Sequence, residues 1–439
     1  MAASPGRLAR VRAAARSGPL AERSFLLLSG GQLTSTIGDY CYAVALPWLV
    51  LSSHGGPAAL GTVLACYGVS RTVMIPLGGM LADKAGARVL MLAADFARCV
   101  IVAVLAFLAA RQLTSVAVLG PTAALIGAGE GLFLPASFAI MPSLVDPAQL
   151  QAANAISTAA VQAGALAGPA LAGVLVAAWG PAPAFAVDAA TFAVSALSLA
   201  MIGRPAARTA AAADGGEASP DAAPPSEPGG GVWQLLRRER VLKLVLVVVT
   251  TTNLAFGGAF EVALPDLAHQ HFGAAGFGAL LAAYSLGALA GTLAAARATG
   301  LRRPAVAASY PILAAAAAIA LTPFLGGVVG ASAAVLLFGA GSGFANIVFI
   351  TALQKWTPSQ LLGRIMSLMM LASLGTFPIS VAATGQLVGH IGPAPFFPIA
   401  GGLLGIAVLG ALTQRIFRQF GAAEPAAAVV ESPPDFALP

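Results

Sequence analysis

Charge is what this sequence has least of. Only 9% of its 439 residues are Asp, Glu, Lys or Arg, against 58% that are hydrophobic, where an ordinary soluble domain carries about 25% charged residues. With a mean hydropathy of +0.86, a water-soluble fold is excluded, because it could not hide so much apolar surface. Reactive groups are equally sparse. The three cysteines, Cys41, Cys66 and Cys99, fall inside apolar runs with no ligand-like spacing, which assigns them to packing. The four histidines, His54, His269, His271 and His390, fall in expected outer loops or helix ends. His269-Gln270-His271 near Asp266 is the nearest approach to a metal signature, and no metal is assigned. No stretch reads G-x-S-x-G, H-E-x-x-H or G-x4-G-K-(S/T), so an enzyme is not expected. No cofactor is expected either, and an ion or substrate gradient must supply any energy. The net charge of +6 does not point to nucleic acid, because the arginines flank apolar segments instead of forming a basic patch laced with aromatics.

What is present is apolar length. Runs at 25–51, 58–81, 89–110, 114–138, 152–178, 182–202, 241–264, 275–297, 305–325, 328–351, 364–388 and 396–414 each approach or exceed the ~20 residues that cross a bilayer. Helices are the expected form, since in lipid every backbone N–H and C=O must be satisfied within the segment, and barrel strands would alternate over about 10 residues. The Arg-rich start leads into a run of transmembrane length without a small-residue cleavage site, so the first span is expected to act as its own insertion signal. Twelve spans put both termini on one side. With that side cytoplasmic, 20 of the 23 Lys and Arg lie there, Arg111 lies opposite, and Arg71 and Arg98 lie within spans. The expected organisation is a cytoplasmic arm at 1–23, a six-helix bundle at 24–203, a cytoplasmic linker at 204–240 rich in Ala, Pro, Gly and Ser, a second bundle at 241–418, and a disordered tail at 419–439.

The halves repeat each other. Val44-Ala45-Leu46-Pro47 recurs as Val262-Ala263-Leu264-Pro265, Gly127-Ala128-Gly129-Glu130-Gly131 as Gly339-Ala340-Gly341-Ser342-Gly343, and Pro147-Ala148-Gln149-Leu150 as Pro358-Ser359-Gln360-Leu361. Matches in one order and at nearly one spacing imply two bundles related by an axis along the membrane normal, with a substrate site between them near the midplane.

Two motifs carry a family resemblance. Gly79-Met80-Leu81-Ala82-Asp83-Lys84-Ala85-Gly86-Ala87-Arg88, between spans two and three, resembles the major facilitator signature G-x-L-A-D-(R/K)-x-G-(R/K)-(R/K), departing at Ala87. The glycines are expected to allow a tight turn and close helix approach. The resemblance implies that Asp83 latches a cytoplasmic gate in the outward-facing state, with Arg364 as its neighbour. Gly291-Thr292-Leu293-Ala294-Ala295 reads as the counterpart in the second half, with Ala295 at the acid's place. In span five, Gly164, Gly168, Pro169 and Gly173 stand in a pattern that resembles the antiporter signature G-x3-G-P-x2-G-G, with Ala172 at one glycine position. Similarity along nearly the whole chain, through Gly38-Asp39, 45–50, Ala94-Asp95 with Arg98, and 150–155, points to the enterobactin-exporter and macrolide-efflux branch. It implies an all-α, twelve-helix major facilitator fold in the bacterial inner membrane. The expected activity is efflux of a drug, siderophore or other amphipathic metabolite by proton antiport, from a functional monomer. Uptake or facilitated diffusion, and less so a non-transporting receptor, are the alternatives.

Seven acids and bases lie in the interiors of spans, away from their cytoplasmic ends: Asp39, Arg71, Asp95, Arg98, Glu130, Asp188 and Glu261. Each charge costs roughly 2.5–3.5 kcal/mol on insertion scales, so each needs a reason. Asp95 and Arg98, three apart on one helix, are expected to pair. If Arg71 neutralises another acid, about three remain to take a proton or a cationic ligand. Glu130, flanked by Gly129 and Gly131 and matched by Ser342 in the repeat, is the first candidate, and Asp39, matched by Gly257, the second. Glu261 and Asp188 are expected nearer the outer helix ends, where hydration is easier. Phe133, Phe138, Phe256, Phe260 and Tyr284 are candidate cavity walls.

Overall fold

The computed structural model describes residues 18–53, 55–203, 240–298, 300–357 and 359–421, so the expected linker at 204–240, except Arg240, and most of the expected arm and tail lie outside the described residues. The described residues form helices and short 3-10 turns, with no strand among them. In chain order these are α1 (Arg23–Ser52), α2 (Gly56–Ala85), α3 (Ala87–Ala110), α4 (Val116–Ile140), α5 (Leu150–Trp179), α6 (Pro181–Met201), α7 (Arg240–His271), α8 (Gly273–Arg297), α9 (Pro304–Leu321), α10 (Gly327–Trp356), α11 (Ser359–Leu374 continued by Phe377–Ile391) and α12 (Pro393–Thr413). Eleven of them are long and apolar enough to cross a membrane. The twelfth, α1, has the length, at 30 residues, but Ser29, Gln32, Thr34, Ser35, Thr36 and Asp39 dilute its apolar character. Large side chains such as Phe96, Phe107, Val329 and Ile406 are 57–84% exposed, which lipid tolerates and water would not.

The repeat is visible in the contacts. Gly127 of α4 lies against the backbone carbonyl of Tyr67 in α2, and Gly131 against that of Arg71. In the second half Gly339 of α10 lies against the carbonyl of Tyr284 in α8, and Gly343 against that of Ala288. Tyr67 and Arg71 are thus equivalent to Tyr284 and Ala288, 217 residues on. That register corrects the reading of Ala295 as the counterpart of Asp83, which falls instead at Gly300, beyond the end of α8 and again without a carboxylate. A further repeat escaped the sequence reading. Gly-Pro-Ala-Pro occurs at both 180–183 and 392–395, turning α5 into α6 and α11 into α12, each time with the glycine at positive φ (80° and 79°) and proline opening the next helix.

Two expected spans differ in form. α7 runs to His271 and contains a π-helical turn at Ala259–Ala263. Pro265 offers no N–H to the carbonyl of Glu261, and Gly257-Gly258 just before lets the backbone widen, whereas the equivalent stretch of α1 has Asp39-Tyr40 before Pro47 and stays regular. α11 is interrupted at Gly375-Thr376, followed by Phe377-Pro378.

The halves meet along two seams, α2 with α11 and α5 with α8. At the first, Gly61 and Gly385 cross so closely that a Cβ on either would lie 2.9 Å from the other's Cα. At the second, Gly173 and Gly278 cross at 3.0 and 2.8 Å by the same measure. Gly61 and Gly278 are equivalent in the 217-residue register, so the two seams are one contact used twice.

Candidate functional site

A cavity of about 690 Å³ opens in the first half, lined by residues of α1 to α5 and the turn after α4. It runs from mid-depth, at Asp39, Tyr40 and Tyr67, towards the end of the bundle that carries Asp83, where Met141, Asn154 and Ser157 line it. At the opposite end the halves are closed on each other by the glycine seams. There Ser52 Oγ lies 3.4 Å from His269 Nε2, and the Trp48 and His269 rings meet edge-on at 4.7 Å.

Glu130 and Arg71 form an ion pair across this cavity wall, Oε1 to Nη2 at 3.1 Å, and the Tyr67 hydroxyl donates to Glu130 Oε2. The glycines expected to admit a neighbour beside Glu130 do so for helices: a Cβ at Gly129 would meet the Arg98 side chain of α3 at 2.8 Å, and Gly131 sits on α2 at Arg71. Asp95 and Arg98 pair as expected, and the geometry shows what holds them. Ser195 of α6 donates to Asp95 at 2.6 Å, and the Arg98 guanidinium lies over the rings of Phe133 and Phe192 at 4.7 and 4.3 Å. Asp39 is exposed to the cavity and makes no ion pair among the described residues. Glu261 stands half-buried on the π turn of α7, within electrostatic reach of Arg71 and Glu130.

Several expectations are corrected. Asp188 is not near a hydrated helix end: it is 1% exposed, packed behind α1 at Gly38 and outside the cavity lining. Phe133 and Phe138 line the cavity, but Phe256, Phe260 and Tyr284 stack with Phe338 into a cluster within the second half, with centroids 4.7–6.2 Å apart. Tyr284 of that cluster is the equivalent of Tyr67, while the places of Arg71 and Glu130 are taken by Ala288 and Ser342, so the second half has no ion pair there. His269 contacts Trp48, and no metal-holding group of His, Cys, Asp or Glu occurs among the described residues.

The signature between α2 and α3 is mostly helix, since α2 extends four residues past its expected end and only Gly86, with φ at 87°, makes the turn. Gly79 faces open space, so no helix approach depends on it. Asp83 and Lys84 are exposed, and Asp83 makes no ion pair among the described residues, while the Arg364 side chain lies outside them. Arg88 has a role the sequence did not signal. Its Nε and Nη2 donate to the carbonyls of Leu199 and Ala200, both at 2.8 Å, capping the last turn of α6. Arg88→Ala is expected to lose about 1–2 kcal/mol of stability, the worth of charge-assisted bonds at a partly exposed site. Thermal unfolding in detergent would check this, and an unchanged midpoint would remove the cap. In α5, Gly164 and Gly168 lie against Thr36 and Tyr40 of α1, and Gly173, one turn past Pro169, makes the α8 seam. The motif thus joins a cavity wall to a seam.

The Major Facilitator Superfamily profile matches residues 28–381. The chain belongs to the major facilitator superfamily. It is 25% identical over 404 residues to the uncharacterized MFS-type transporter YfiS of Bacillus subtilis strain 168, covering 87% of this chain and 91% of that one. A shorter match, 28% identical over 150 residues and covering 34% of this chain and 31% of the relative, is to the putative multidrug resistance protein MdtD of Yersinia pseudotuberculosis. Among solved structures, a peptide transporter POT in complex with sulfate superposes with a TM-score of 0.68 at 16% identity, covering 91% of this chain and 96% of that one. This major facilitator protein is therefore a multi-pass membrane transporter of small molecules, not an enzyme.

Proposed function

We propose that this transporter exports a small amphipathic molecule, cationic at neutral pH, from the cytoplasm in exchange for protons. The observation that carries the reading is Asp39. It is a carboxylate without an ion-pair partner among the described residues, exposed to a cavity whose other charges, Arg71 with Glu130 and Arg98 with Asp95, are already matched. A free acid in a low-dielectric cavity demands a positive partner, and a proton and an organic cation are mutually exclusive answers to that demand. The span-five motif and the resemblance to the enterobactin and macrolide exporters support export over uptake, and so, weakly, does the name of the partial relative MdtD. The Lys and Arg distribution favours a bacterial inner-membrane protein with both termini and the 204–240 linker cytoplasmic. In that orientation the cavity faces inward, ready to load, and a monomer suffices.

The test is transport in reconstituted vesicles with an imposed pH gradient. Organic-cation flux should run opposite to the protons and stop with an uncoupler. Flux indifferent to the uncoupler would refute antiport. Asp39→Asn should weaken binding of a monovalent amphipathic cation by about tenfold or more, the ~1.5 kcal/mol of one charge-assisted contact. Equal affinity for wild type and variant by titration calorimetry would return Asp39 to a structural role.

A further inference from the structure

A second acid lies on the other side of the wall that bears Asp39. Asp188 of α6 is 1% exposed, and its Oδ1 has no hydrogen-bond partner among the described residues. It lies so close to Gly38, the residue before Asp39, that a Cβ there would fall 2.5 Å from that oxygen. One turn along α1, the Tyr42 hydroxyl is also buried without a partner, and its ring meets Phe185, one turn before Asp188, at 5.8 Å. Two orphaned polar groups thus share the α1–α6 interface. Among the described residues, the charged and titratable groups around Asp188 are Asp39, Cys41 and Tyr42 from α1 and Arg98 and Cys99 from α3, while α5 contributes none. Arg98, the one cation among them, is already paired with Asp95 and covered by two rings. An ionised Asp188 would be an unpaired charge in a dry interface beside a second carboxylate.

We infer that Asp188 is a proton-holding site behind the cavity wall, a neutral carboxylic acid whose proton is exchanged with Asp39 past Gly38, the point where α6 packs directly on the α1 backbone. This rests on the proton-coupled reading above and assigns that coupling a second acid out of reach of the substrate. Substrate occupying Asp39 would displace a proton there, and Asp188 would keep or release its own according to the charge on Asp39. The absence of a Cβ at Gly38 is what lets Asp188 Oδ1 and Thr191 Oγ1 of α6 close on the α1 backbone, one residue from Asp39.

Infrared difference spectroscopy of the full-length protein in nanodiscs tests this without needing the substrate. At neutral pH the carbonyl stretch of a protonated carboxylic acid should be present. It should vanish in Asp188→Asn, shift in Tyr42→Phe and persist in Glu130→Gln. Asp39→Asn should move the pH at which the band disappears, since it removes the nearest acid. A band unchanged in Asp188→Asn, or its absence from the wild type, overturns the proposal. A band that responds to sodium and not to pH overturns it in favour of a metal cation. Asp188→Asn is nearly isosteric, and if its thermal midpoint in detergent nevertheless collapses, the band shift in Tyr42→Phe, which removes only a hydroxyl, carries the test instead, and an unshifted band there overturns the proposal. If the band behaves as expected while vesicle flux ignores the uncoupler, the antiport reading fails and the proton site stands.

Discussion

Glu130→Gln should abolish transport driven by a pH gradient while leaving the protein inserted and folded. Glutamine keeps the shape and can still accept from the Tyr67 hydroxyl, so α2 and α4 stay in register through the Gly127 and Gly131 contacts, which the substitution does not touch. What is lost is the negative charge that neutralises Arg71 and the group that could exchange a proton. Arg71, about a quarter exposed and with its Nε already unpartnered, would then be drawn to Glu261 on α7. The loss of a partly buried charge-assisted pair is worth ~3 kcal/mol, or roughly 100-fold in rate. Uncoupled exchange of substrate across the vesicle should survive better than gradient-driven efflux. If driven efflux and its accompanying proton flux are normal in the variant, Glu130 has no part in coupling.

The second large effect is expected at the seams. Gly61→Val would bring a branched side chain against the Val381 carbonyl and the Cα of Gly385, backbone atoms that cannot swing aside. Overpacking of this kind costs about 1–3 kcal/mol and is felt only while the seam is closed, so it shifts the conformational equilibrium by roughly 5- to 150-fold towards the form open at that end. Spin labels on Ser53→Cys and Gln270→Cys, exposed residues on either side of that closure, should move apart in the variant, and turnover should fall because the return step is blocked. Gly278→Val should do the same through the other seam. Labels that stay at the wild-type distance in both variants would show that the crossings are incidental to the transport cycle.

The helices were legible because lipid imposes a crude rule: twenty apolar residues or failure. Their number, their order and the pairing of Asp95 with Arg98 could be read without coordinates. What escaped depends on phase and partner. The π turn in α7 and the break in α11 lie near glycine and proline, at Gly257-Gly258 before Pro265 and at Gly375 before Pro378, yet Gly120-Pro121 and Gly168-Pro169 leave α4 and α5 intact, so the pattern alone does not mark them. The α2 to α8 register went astray because Gly79 and Gly291 look alike in sequence, while only Gly291 touches a neighbouring backbone. The candidate site was half visible. Acids could be enumerated, but which of them face water, like Asp39, and which face the back of a helix, like Asp188, depends on rotation about helix axes that an alanine-rich sequence leaves unmarked.

Arg98 joins three helices. Through Asp95, Ser195 and the rings of Phe133 and Phe192 it ties α3 to α4 and α6, so the half that holds the cavity is pinned at mid-depth. The other half carries both interrupted helices, α7 and α11, and each lies beside the partner bundle. The two bundles are therefore unequal jaws of one vice. If Asp39 holds the substrate, the stiff jaw is the one expected to grip and discriminate and the compliant jaw to absorb the bending, so changes to what is carried are expected in α1 to α5 and changes to how fast it moves in α7 and α11.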